Sequence, residues 1–126
     1  MTADVLTIIN TAMEELNINY EFMLYTGEMV YPYFTGEYQE TEPESENGLQ
    51  ESTFILNGFS RTTWSALEEA KELIENYFDR TSGRIVTTES GNVVAVFYSS
   101  SYVIPSEDAE LKRIQINLSV KEWKVD

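Results

Sequence analysis

The chain has 126 residues, is 42% hydrophobic and carries two Trp, eight Tyr and six Phe, enough for one domain with its own core rather than a disordered acidic tail. Twenty-two acids against eight bases give a net charge of -14, which opposes binding to a bare phosphate backbone or an anionic membrane, because both need Lys and Arg. The absence of cysteine and histidine excludes a disulfide framework, Ser-His-Asp and Cys-His mechanisms, and zinc held by N and S ligands.

The acids are unevenly placed. Residues 1–60 hold eleven acids and no base, whereas residues 61–126 hold eleven acids and all eight bases. Six of the first eleven lie in residues 37–51: Glu37, Glu40, Glu42, Glu44, Glu46 and Glu51. One strongly negative surface is therefore expected, with function carried by surfaces rather than by catalysis. Met1-Thr2-Ala3-Asp4 lacks the basic and apolar regions of a signal peptide. The longest apolar run, residues 93–98, is too short to span a bilayer.

In chain order, Val5, Ile8, Ile9, Ala12, Met13 and Leu16 follow helical spacing, with Thr2 as the N-cap and Asp4 in the first turn. Glu14 and Glu15 oppose the helix dipole and are expected either to face water or to meet a partner's base. Residues 20–25 alternate as a strand, and Thr26-Gly27-Glu28 predicts a turn into a second strand over residues 30–38. Pro32 cannot donate to a ladder, so that strand must be an edge or begin pairing beyond it. Residues 36–50 break the pattern. Over residues 40–48 glutamates alternate around Pro43 with no large apolar group, which predicts a solvated, flexible acidic loop over residues 37–51.

Strand character resumes over residues 53–59, where Gly58 suggests a bulge. A second helix is capped at Ser65, Thr62 or Thr63 and runs to about Asp79, with Leu67, Ala70, Leu73, Ile74, Tyr77 and Phe78 as its stripe. Residues 84–88 and 93–104 form a hairpin across Glu89-Ser90-Gly91-Asn92. The last strand alternates through Ile114, Ile116, Leu118 and Val120, then changes parity at Trp123 and Val125. Either a bulge intervenes or the strand end packs its other face. The sum is a single α+β domain over residues 1–126. Its order is α-β-β-β-α-β-β-β, with about five to six mostly antiparallel strands and two helices on one sheet face.

No constellation for chemistry stands out. Glu40, Glu42, Glu44 and Glu51 match ligand positions of a calcium loop, but Ser45 replaces the required Gly, Pro43 stiffens the segment and strands flank it. Glu68, Glu69, Glu72 and Glu75 read as an ordinary solvated helix face. Neither a metal nor a cofactor is expected. Tyr31-Pro32-Tyr33-Phe34 must send rings to both faces of its strand, which points either to a subunit interface there, with Trp123 as a further candidate, or to core packing alone. A base-stacking platform needs basic flanks, and here the flanks are Glu28 and Glu37.

Taken together, the first helix, Tyr31-Pro32-Tyr33-Phe34, the acidic loop, Thr62-Thr63-Trp64 opening a Glu/Ala-rich helix, and Val103-Ile104-Pro105-Ser106-Glu107-Asp108 before an alternating strand resemble the tail terminator (tail completion, head-tail joining) proteins of long-tailed bacteriophages. The resemblance covers nearly the whole chain and implies a structural virion protein, not an enzyme. It implies a ring, hexameric in assembly and able to remain monomeric in isolation, that caps the tail tube and docks it to the head connector, in the virion or in host cytoplasm during assembly. The partners it implies are further copies of the chain, a tube protein and a connector protein. DNA would pass through an acidic lumen without specific binding, and the family has no active site to carry over. The rival reading is an acidic DNA mimic that inhibits a DNA-binding protein through Glu40, Glu42, Glu44 and Glu46.

Overall fold

The computed structural model describes residues 1–28, 30–40 and 48–124. Two helices, α1 (Ala3–Glu15) and α2 (Trp64–Tyr77), accompany six strands. The strands are β1 (Asn19–Phe22), β2 (Tyr33–Glu40), β3 (Leu49–Ser60), β4 (Arg84–Thr87), β5 (Val93–Ile104) and β6 (Lys112–Trp123). They form one sheet in the order β1-β2-β3-β6-β5-β4. All neighbours are antiparallel except β1 and β2. The α+β class and the element order are as the sequence predicts.

The core follows from two periodicities. On β3 and β6, every even-numbered position from 50 to 60 and from 114 to 122 is buried and every odd one less so. The register Phe54↔Leu118 and Leu56↔Ile116 places both sets on one face. Val5, Ile9, Ala12 and Met13 of α1 and Leu67, Ala70 and Ile74 of α2 recur every three or four residues and pack on that face in a single cluster. Both helices therefore lie on one side, and the other face of the sheet is bare. Thr63 is the cap of α2, its side chain accepting from Ala66 N–H at 3.1 Å.

Gly58 is in register between Phe34 and Ile114, so no bulge occurs there. The glycine is needed because the Phe34 ring crosses it: an added Cβ would lie 2.5 Å from that ring and 2.8 Å from Ile114. Gly36 makes room for Tyr20 and Phe54 in the same way.

Several expectations need correction. β1 and β2 do not form a hairpin; they are parallel, with Asn19 opposite Tyr33 and Phe22 opposite Gly36. The chain leaves the ladder at Met23 (φ 67°), and β2 starts again at the level where β1 began. Glu21 holds this connection by accepting from the backbone N–H and hydroxyl of Thr26, and Tyr25 folds onto Tyr33. β2 begins directly after Pro32, whose bond to Tyr31 is cis, and pairs on both sides.

The stripe of α2 is narrower than expected, because Leu73 is 46% exposed at a groove beside Leu16, Ile18 and Pro32. Thr2 holds the N-cap position of α1, but its side chain accepts nothing from the helix. Its hydroxyl and N–H instead donate to Glu122 Oε1 at 2.6 and 3.1 Å. Glu14 and Glu15 find partners within the chain, accepting from Asn10 at 3.2 Å and from the Tyr77 hydroxyl at 2.7 Å.

The parity change near the end of β6 is not a bulge. The core-side position after Val120 is Glu122, only 1% exposed and tied to Thr2, while Trp123 turns to the bare face; Val125 lies outside the described residues. The sheet's irregularity lies in β5 instead, between Tyr98 and Ser100.

Candidate functional site

The bare face is laid out in rows across the strands. At one end Tyr33, Phe59, Arg113 and Ile104 are in register across β2, β3, β6 and β5. Tyr33 and Phe59 stack with centroids 5.0 Å apart at 21°, and the Arg113 guanidinium lies 5.2 Å above the Phe59 ring. Tyr25 and Tyr31 close on Tyr33 at 4.7 and 5.5 Å. Arg61, one residue past β3, binds Asp108 at 2.8 Å and adds its charge beside Tyr31. The result is an aromatic platform with two guanidinium groups.

Electrostatics follow this packing. Burial, and then the neighbouring Tyr31, push the Tyr33 phenol above its ordinary range, against the pull of Arg61 and Arg113. The hydrogen bond from Arg61, and then the N–H of Glu110, hold the Asp108 carboxyl below the usual range.

Toward the middle the face is polar and mostly uncharged. Asn57 donates to Glu37 at 3.0 Å, Gln115 to Asn117 at 2.9 Å and Asn117 to Ser100 at 3.1 Å. At the far end Lys121 stands 3.9 Å from Glu51, next to the row of Leu49, Trp123 and Val93.

The predicted interface residues therefore separate. Tyr31 and Tyr33 join the platform. Phe34 is fully buried among the core rings and is not available to a partner. Trp123, 37% exposed, lies at the opposite end of the bare face. Of the acidic set, Glu37 lies within β2, Glu40 ends it and Glu51 lies within β3, so these three stand on strands rather than in a loop. Glu40 binds the amino group of Met1. Glu42, Glu44 and Glu46 lie outside the described residues. Among the described residues no group of three or more His, Cys, Asp or Glu is arranged to hold a metal ion. Nor, among the described residues, is any helix long and apolar enough to cross a membrane.

Sequence reasoning missed Phe59, Arg61 and Arg113 as members of the platform. The odd parity of Phe59 and Arg113 already puts them off the core face. That they meet depends on β3 pairing with β6, which no local signal announces.

The register also sorts charge across the sheet. β1, β2 and β3 carry Glu21, Glu37, Glu40 and Glu51 with no base. β4, β5 and β6 carry Arg84, Lys112, Arg113 and Lys121, and the one acid there, Glu122, is buried. The sheet thus has an acidic half and a basic half, side by side.

No protein-family model and no curated protein sequence matches the chain. Among solved structures the fold is similar to a chain in the virion of a native gene transfer agent (GTA) particle, with a TM-score of 0.66 at 10% identity, covering 88% of this chain and 83% of that one. At that identity the likeness is one of fold.

Proposed function

We propose that this protein is a structural subunit of a phage or phage-like virion, and specifically a ring component of the tail-terminator kind. The likeness of fold to a chain of a virion particle, over most of both chains, carries this reading. The bare sheet face supports it, because a face ending in an aromatic and guanidinium platform suits a protein partner, where Tyr, Trp and Arg supply most contact energy.

In this reading the ring caps the tail tube and joins it to the head connector. The base-free first half of the chain faces DNA or solvent, where like charge keeps the duplex from adhering. The role is assembly rather than catalysis, in the virion and in host cytoplasm beforehand. A DNA mimic needs a rigid row of carboxylates on one side. Of the four glutamates that such a mimic would use, Glu40 binds the amino group of Met1 and Glu42, Glu44 and Glu46 lie outside the described residues, so no observation favours that alternative.

Light scattering over a concentration series, with negative-stain imaging of the protein mixed with purified tail tubes, tests the proposal. Rings, free or seated on tube ends, are expected. A strict monomer that also ignores tail tubes overturns it.

A further inference from the structure

Five strands of the sheet are level over four rows. Asn19, Tyr20, Glu21 and Phe22 of β1 share rows with Ile104, Val103, Tyr102 and Ser101 of β5, through β2, β3 and β6. β4 reaches only Val93, Val94, Ala95 and Val96, so the last part of β5 is itself an edge. Among the described residues no backbone hydrogen bond leaves either edge toward a further strand. The molecule therefore has two open edges of similar length, at the same level, on opposite sides of the sheet.

Their chemistry is complementary. Open edges attract stray strands, and proteins usually blunt them with lysine or proline. Residues 99–104, Ser-Ser-Ser-Tyr-Val-Ile, contain neither, and Tyr102 and Val103 are 50% and 53% exposed. This edge closes the basic half of the sheet, whereas β1 closes the acidic half. Two copies with a net charge of -14 each repel over most of their surfaces. They do so least where β1 of one, the end of the acidic half, meets residues 99–104 of the other, which hold no acid and lie beside Arg113 of β6. Direction agrees as well. β1 runs parallel to β2 and β6, hence opposite to β5, so the two edges would meet antiparallel, the more stable pairing.

We propose that β1 of one copy pairs with residues 101–104 of the next, continuing the sheet head to tail from subunit to subunit. The edges differ, so the contact is heterologous. They are level, so repetition adds little shift along the strands, the condition for a closed ring rather than a filament. This inference rests on the ring reading above and names the surface that builds the ring.

The chain has no cysteine, so the full-length double variant Asn19→Cys with Ile104→Cys reports the contact directly. Within one copy the two positions are separated by four strand spacings, roughly 19 Å, too far for a disulfide. On oxidation after assembly, with tail tubes added if rings need them, the double variant is expected to give a ladder of linked oligomers ending at the ring's copy number. Each single variant gives dimers at most. Val103→Lys, which puts a charge on the edge at a half-exposed site, is expected to weaken assembly about tenfold with an unchanged melting temperature. Rings that form without a ladder and tolerate Val103→Lys overturn the edge contact while leaving the ring reading intact. Failure of the unmodified protein to assemble, even on tubes, overturns both.

Discussion

The two faces of the sheet are built from the same strands under different rules. The covered face is dry and tightly fitted: Phe34, Phe54, Leu56, Ile116 and Leu118 have no exposure, and two glycines leave space for rings. The bare face, one residue away along each strand, mixes amides, hydroxyls, an aromatic end and a few charges. Its rings are held mainly by each other. Burial makes the first face intolerant of change, while the second is free to vary and so is the one that can carry recognition.

Neighbouring phenylalanines test this contrast most directly. Phe34 lies across Gly58, and Phe59, the next residue along, points to the opposite face. Phe34→Ala is expected to destabilise the fold by about 3–5 kcal/mol, the cost of an aromatic cavity in a packed core, measured by denaturant unfolding. A loss below 1 kcal/mol would mean that the covered face is looser than its packing implies. Phe59→Ala is expected to cost only about 1 kcal/mol, the stacking with Tyr33 and Arg113, while weakening ring formation or tube binding. A Phe59→Ala protein that assembles normally would remove the platform from the interface.

The smallest expected effect is electrostatic. The Asp108 carboxyl is held below its unfolded value by Arg61 and nearby N–H groups. A depressed carboxyl contributes stability above its unfolded pKa and loses it as pH falls through the folded one. Acidification below about pH 4 is therefore expected to loosen the Arg61–Asp108 tie. In Asp108→Asn the same acid titration should show a slightly shallower loss of stability. An identical titration would show that the pair contributes nothing at the surface.

How much of this was legible beforehand depended on whether a signal was local. The alternation of Ile114, Ile116, Leu118 and Val120, the helical stripes of α1 and α2, and the turn at Glu89-Ser90-Gly91-Asn92 each record one element's burial within a few residues. Thr26-Gly27-Glu28 misled for the same reason. The chain makes only a bend at Gly27, and a side-chain clamp from Glu21 and the packing of Tyr25 on Tyr33 hold the longer connection of a parallel pair. Glu122 misled as well, since a carboxylate at a core position makes sense only beside Thr2, distant in sequence.

From the sequence alone came the α+β class, the order of elements, the helical core stripes and the excess of acid in the first sixty residues, because hydrophobic period and charge are properties of short stretches of chain. Tertiary structure decided the rest: that β3 lies beside β6, that Tyr33, Phe59 and Arg113 form one row, and that the base-free segment becomes one half of a sheet facing a basic half. Strand order and register join residues far apart in the chain. They are settled by which faces must be buried together, a condition that no single segment contains.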